Sequence, residues 1–235
     1  MADTRAIRVT VFASSTPQTA PAFTAASAEF GRLLAEAGGV AVFGGGNAGC
    51  MGAFFAASVK SGGRVHGITH RMFVKPGGSS LSEENAAELE SLEIVEGSDL
   101  TMRKRRLLDA ADCLVTLPGG VGTFDELFMA IAERATGCGK LPVLVLNTGG
   151  YYNGAIEQLK RADEEGMLRS RWQALLEVVD TPAEAVAWCL KQQRRKPPSR
   201  ERPADGIAYR KGVMHGLLVA TASLVVVAAV SAARK

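Results

Sequence analysis

The chain has few of the residues that carry redox or metal chemistry. Its 235 residues include four cysteines and three histidines. Cys50, Cys113, Cys138 and Cys189 are widely spaced, lie in apolar or helical contexts and form no Cys-x-x-Cys pair. That spacing argues against a disulfide framework or a structural metal and makes reduced thiols the expectation. The histidines do not cluster, so no metal site is expected. There is no Gly-Lys-Ser/Thr phosphate loop. The first apolar stretch ends in Ser14-Ser15-Thr16-Pro17, without the Gly-x-Gly turn of a dinucleotide site. Met1 to Arg8 is polar, and no secretory leader is expected there. A net charge of +3 hides an asymmetry. From Lys191 onward there are ten basic and two acidic residues, so the preceding 190 residues sum to −5. An acidic body of that size argues against nucleic-acid binding as its role.

What is present is a regular alternation of short apolar runs and helix-periodic segments. Ile7 to Ala13, Val40 to Phe43, Arg64 to Thr69, Ser91 to Val95, Cys113 to Leu117 and Pro142 to Leu146 read as strands. Between them, Ala20 to Ala37, Met51 to Ser61, the segment around Arg103 and Tyr151 to Glu165 read as helices. Thr181-Pro182-Ala183 opens another with a threonine cap and a proline. Such alternation predicts an α/β domain: a Rossmann-like, doubly wound parallel sheet with helices on both faces. Ligands of such sheets bind beyond the carboxyl ends of the strands.

The most informative stretch is Pro118-Gly119-Gly120-Val121-Gly122-Thr123-Phe124-Asp125-Glu126. It joins a buried strand to the helix beginning near Leu127. Glycines let backbone N–H groups approach a ligand closely. The start of a helix offers unpaired N–H groups and partial positive charge, which suits a phosphate. Asp125 and Glu126 are expected in the first helical turn. A carboxylate beside a phosphate cradle repels it, so its presence suggests chemical work. The plainer alternative is a tight turn followed by acidic helix-start residues. Upstream, Asp99-Leu100-Thr101-Met102-Arg103-Lys104-Arg105-Arg106 carries a basic cluster on a helix. From periodicity alone, Lys104, Arg105 and Arg106 read as a solvated face.

Taken together, Asp99, Arg103-Lys104, Ala111-Asp112 and Pro118 through Glu126 resemble the LOG ("Lonely Guy") family. Its members are cytokinin riboside 5'-monophosphate phosphoribohydrolases, often mislabelled as lysine decarboxylases. Val11-Phe12-Ala13-Ser14-Ser15, the glycine loop Gly44 to Gly52 and Gly150-Tyr151-Tyr152-Asn153 extend the resemblance over about residues 7–190. It implies hydrolysis of the N-glycosidic bond of a cytokinin or purine nucleoside 5'-monophosphate, with Arg103 and Glu126 catalytic and no cofactor. It also implies substrate binding by Ser14, Gly45, Gly46, Lys104, Pro118, Gly119, Gly120, Gly122 and Thr123, and a homodimer. A substrate-contacting acid corresponds to Glu83, Glu84 or Glu88. Lys60, Lys75 and Lys140 lack a Schiff-base context, so decarboxylation is not expected. The chain departs from the family after Glu126, with Ala132-Glu133-Arg134-Ala135 in place of the usual Thr-Trp-Ala-Gln. The alternative class is a nucleotide or molybdenum-cofactor carrier on the same fold, without turnover.

The C-terminal part reads differently. Lys191 to Lys211 is rich in Arg, Lys and Pro, as in a disordered basic linker. Val213 to Ala232 is a run of twenty residues whose sole titratable side chain is His215. As a helix it would span about 30 Å, the thickness of a bilayer core. The expected organisation is therefore a catalytic domain over 1–190, a linker over 191–211 and a transmembrane tail over 212–235. The excess of Arg and Lys before the span keeps the domain in the cytosol, on the mitochondrial outer membrane or the endoplasmic reticulum. The alternative is an Ala/Val-rich core helix.

Overall fold

The computed structural model describes residues 5–74, 86–193 and 207–210. The chain runs β1 (Arg8–Phe12), α1 (Pro21–Glu36), β2 (Val40–Phe43), α2 (Gly49–Lys60) and β3 (Arg64–His70). A 3-10 turn (Arg71–Phe73), β4 (Ser91–Val95), α3 (Thr101–Asp109), β5 (Cys113–Thr116) and α4 (Val121–Thr136) follow. β6 (Val143–Leu146), α5 (Asn153–Glu164), β7 (Glu177–Val179), α6 (Pro182–Gln193) and β8 (Ile207–Arg210) complete it. The strands form one sheet in the order β7-β6-β5-β1-β2-β3-β4-β8. All neighbours are parallel except β8, which runs antiparallel to β4 with Ile94 opposite Ile207.

β2, β5 and β6, in the middle of the sheet, are buried at every residue because both faces are covered. Val9, Val11, Ala41, Phe43, Cys113 and Val115 point into one core, filled by Phe30 and Leu34 of α1, Phe54 and Phe55 of α2, and Ala185 and Cys189 of α6. Phe12, Val42, Leu114 and Val145 point into the other, against Leu107 of α3, Leu127 and Ile131 of α4, and Ile156 of α5. One-residue alternation along each strand thus sorts the helices into two layers. Helices α1 and α2 pack closely because Gly31 lacks a side chain: a Cβ there would lie 2.4 Å from the Phe54 carbonyl oxygen. Helix α6 opens on a reciprocal capping box. The Thr181 hydroxyl accepts from the Glu184 N–H, and the Glu184 carboxylate accepts from the Thr181 N–H.

The chain leaves β1 toward β2 on one side and later returns to β5 on the other. The carboxyl ends of β1 and β5 therefore flank a topological switch point, where a crevice opens. The Ser14 N–H donates to the Pro118 carbonyl across it, at 3.0 Å.

The C-terminal expectations need adjustment. Lys191–Gln193 complete α6, and Ile207–Arg210, expected to be linker, form a strand on the open edge of β4. An edge strand carries a row of unpaired backbone groups, and an added strand satisfies them. Among the described residues no helix is long and apolar enough to cross a membrane. The expected span, 213–232, lies outside them.

Candidate active site

Three loops at the carboxyl ends of β1, β2 and β5 enclose a cleft of about 290 Å³. Ser14, Ser15 and Thr16 follow β1, Gly44 and Gly46 follow β2, and Gly120, Gly122 and Thr123 begin α4. Arg103, Lys104, Asp125 and Glu126 supply its charges, while Met51, Phe73, Leu100 and Val121 supply apolar wall.

At its base, Arg103 meets Glu126. The guanidinium donates from Nη1 to Glu126 Oε1 at 3.2 Å, from Nη2 to the Gly44 carbonyl at 3.2 Å and from Nε to the Ile68 carbonyl at 3.3 Å. Both residues are buried, at 7 % and 9 % exposure. Burial pushes the Glu126 carboxyl above the usual carboxylate range, and the adjacent Arg103 opposes the shift. Burial also pulls the Arg103 guanidinium down, against Glu126. An arginine keeps its proton in proteins, so the direction with chemical consequence is that of Glu126. A buried ion pair contributes little to stability, because desolvation consumes most of the attraction. Its presence at the floor of a cleft is better explained by use than by folding.

The glycine loop after β2 makes room for this pair. A Cβ on Gly44 would sit 2.0 Å from Arg103 Nη2. A Cβ on Gly46 would sit 2.7 Å from Met51 Sδ, which accepts from the Gly46 N–H at 3.0 Å. Gly49 has φ +59, and a Cβ there would clash with the Ser14 and Thr16 carbonyls. The Met51 N–H donates to the Ser14 carbonyl, so the serine turn is tied to the start of α2.

The second loop is braced from outside. Tyr151 donates to the Gly119 carbonyl at 2.6 Å and Tyr152 to the Leu117 carbonyl at 2.7 Å. These bonds give the Gly-Tyr-Tyr segment its role. Gly120, the N-cap of α4, gives no side-chain cap, and Gly120 to Thr123, whose first N–H groups it leaves uncapped, line the cleft.

Several placements differ from expectation. Helix α4 starts at Val121, so Asp125 and Glu126 fall in its second turn, and no acid stands in the first. Their position owes nothing to the helix dipole, which acts over the first turn. The basic cluster is not a solvated face. Lys104 donates to both Asp125 oxygens, at 3.0 and 2.9 Å, and Arg105 pairs with Glu133 at 2.8 Å. The Arg106 side chain is only 10 % exposed and lies 3.4 Å from Glu93. Asp99 caps the start of α3 through the Thr101 N–H and does not pair with Arg103. Asp112 accepts from the Arg8 N–H and anchors β1. Ser14, Gly46, Lys104, Gly120, Gly122 and Thr123 line the cleft, whereas Gly45, Pro118 and Gly119 stand behind its surface. Glu88 is exposed and away from the cleft, while Glu83 and Glu84 lie outside the described residues. Met51, Phe73 and Asp125 line the cleft without having been singled out for it. Met51 and Asp125 lie inside motifs that the sequence shows, whereas Phe73 has no local sign and is brought there by tertiary packing.

The family described as "Possible lysine decarboxylase" matches residues 51–189. A probable cytokinin riboside 5'-monophosphate phosphoribohydrolase of Oryza sativa subsp. japonica is 32% identical over 76% of this chain and 70% of its own length. The cytokinin riboside 5'-monophosphate phosphoribohydrolase of Mycobacterium tuberculosis is 30% identical over 77% of this chain and 92% of its own. The chain belongs to the LOG family. Its fold is also that of the molybdenum cofactor carrier protein of Chlamydomonas reinhardtii, with a TM-score of 0.58 and 20% identity over 82% of this chain and 100% of that one. Within this LOG-family chain the departing segment after Glu126 is structural. Arg134 donates to the Leu141 and Ala174 carbonyls, and Glu133 holds Arg105.

Proposed function

We propose that the protein hydrolyses the N-glycosidic bond of a nucleoside 5'-monophosphate, releasing free base and ribose 5-phosphate. The observation that carries the reading is the buried Arg103–Glu126 pair on the floor of a cleft whose rim is an uncapped helix start. The phosphate is held by the N–H groups at Gly120 to Thr123, and its charge is favoured by the helix end. As the C–N bond to the base breaks, positive charge grows on the ribose. Glu126, itself buried, faces that charge, and a carboxylate acts more strongly there than in bulk water. It also orients the incoming water and takes its proton as the water oxygen bonds to the ribose carbon; the bonding electrons leave with the base, which takes up a proton from solvent, and Glu126 returns its own to solvent. Arg103 fixes the Glu126 carboxylate and favours its ionised form against the effect of burial. Burial raises the Glu126 carboxyl, which makes it a better proton acceptor than an ordinary carboxylate.

The experiment incubates the protein with AMP and with isopentenyladenine riboside 5'-monophosphate. Free base and ribose 5-phosphate are expected. Tight binding of either nucleotide without release of base would instead support a carrier, the reading that the likeness to molybdenum cofactor carriers favours.

Two further proposals concern assembly and location. The protein forms a homodimer, supported by family membership; light scattering of residues 1–193 should give twice the chain mass. A span over 213–232 holds the domain at the cytosolic face of a membrane, supported by the length and apolarity of that run. Full-length protein should then resist extraction by high salt and alkaline carbonate. Release by salt alone would mean that the basic segment, through screened attraction, is the only tether.

A further inference from the structure

The Arg103 guanidinium is held in its plane by three acceptors that come from three separate elements: the Gly44 carbonyl, the Ile68 carbonyl and Glu126. In-plane bonds do not resist tilting toward an open face. One face is covered by Phe73, whose ring centroid lies 5.5 Å from Arg103 Cζ. That is within the range at which an aromatic face attracts a cation. Phe73 is itself placed by a short device at the end of β3: the Met72 N–H donates to His70 Nδ1 at 3.2 Å, closing the 3-10 turn that presents the ring. Phe73 lines the same cleft as Arg103 and Glu126.

We propose that Phe73 is a positioning residue for the hydrolysis: its ring stacks on the Arg103 guanidinium, sets its tilt and keeps water off the Arg103–Glu126 pair. The proposal rests on the hydrolytic reading above and assigns to an apolar side chain a part in the chemistry, acting through Arg103. An aliphatic wall of the same volume would shield the pair but offer no π face to orient the cation. A small side chain would do neither. The two functions are therefore separable by substitution.

The test compares Phe73→Leu, Phe73→Tyr and Phe73→Ala in the full chain, each checked for a melting temperature near that of the wild type. Phe73→Leu is expected to lower kcat about tenfold with KM little changed, and Phe73→Tyr to restore most of it. Phe73→Ala should lower kcat further and admit water to Glu126. Its carboxyl, held high by burial, should then titrate at lower pH. That titration is followed by infrared difference spectroscopy of the carboxyl band, assigned with Glu126→Gln, and needs no turnover. A downward shift in Phe73→Ala with no hydrolysis by the wild type would uphold the ring's shielding of the Arg103–Glu126 pair and sink the proposed reaction. An unmoved carboxyl titration in folded Phe73→Ala overturns the proposal. So does a rise in KM alone across the series, which would make Phe73 a plain wall for the substrate.

Discussion

The two glycine loops face each other across one cleft and use glycine for opposite reasons. After β2, glycine is demanded by the protein itself: at Gly44 and Gly46 a Cβ would meet Arg103 and Met51 at 2.0 and 2.7 Å. After β5, the same holds at Gly119, where a Cβ would lie 2.2 Å from Thr123 Oγ1. It does not hold at Gly120 and Gly122. A Cβ at either position meets nothing within 4 Å, and neither glycine has the positive φ that excludes other residues. Neither packing nor backbone conformation therefore explains these two glycines. The phosphate site proposed above would, because it needs the backbone bare there. The first loop shapes the Arg103–Glu126 pair, and the second leaves bare backbone at the cleft.

Substitutions can break that contrast or sharpen it. The largest effect is expected at the pair itself. Glu126→Gln removes a charge needed most as the ribose becomes cationic, so kcat should fall on the order of a thousandfold while nucleotide binding persists. In the wild type, activity requires the ionised carboxylate, whose pKa is raised. The acid limb of the rate profile should therefore lie above the ordinary carboxylate range, with activity lost as pH falls through it, and should vanish in the variant. The stability contribution of this group has the opposite sense: it is present at low pH and lost as pH rises through the raised pKa, because ionisation in the buried site is costly. Near-normal turnover by Glu126→Gln would remove it from the mechanism.

Next come substitutions that move Arg103. Arg103→Lys keeps the charge but cannot bond Gly44, Ile68 and Glu126 at once, since an ammonium has no planar fork. A loss of about a hundredfold in kcat is expected. Arg105→Lys, at an exposed pair with Glu133, should be nearly silent. Equal losses at the two positions would show that the basic helix acts through its overall charge. Gly44→Ala should resemble Arg103→Lys in steady-state kinetics, because the new methyl group displaces Arg103 Nη2.

The smallest effect should separate the loops most clearly. Gly122→Ala has open space and a helical position, so its melting temperature should match or slightly exceed that of the wild type. Its KM for the nucleotide should still rise about tenfold, because the methyl group occupies the approach to the backbone N–H groups. If Gly122→Ala leaves KM unchanged and Gly44→Ala leaves kcat unchanged, the contrast between the loops has no functional content.

Much of the framework was legible before any coordinates. Continuous apolar runs such as Cys113 to Leu117 are too short for helices and too apolar for a half-exposed sheet, so they mark buried parallel strands. The strand–glycine–helix order around Pro118 to Glu126 placed a ligand end on the sheet, and the resemblance singled out Arg103 and Glu126. β7 was missed because its three residues are partly exposed and carry no alternation. β8 was missed because its partner, β4, is more than a hundred residues away, and an edge recruits a strand without leaving a local sign.

Sequence by itself determined which segments are strands and helices, since the period of apolar residues is a local property of the chain. It also determined that a glycine turn and a carboxylate follow one strand within ten residues. Only tertiary structure decided which charges meet. The basic run on α3 looks uniform in sequence, yet it divides among Glu126, Asp125, Glu133 and Glu93 once α3 lies against α4 and the sheet. That division depends on which side of the helix faces the interior and on which carboxylates the neighbouring elements bring there. Position then separates Arg103 from the equally covered Arg106: it stands in the cleft beside Glu126, where geometry rather than composition determines what it can do.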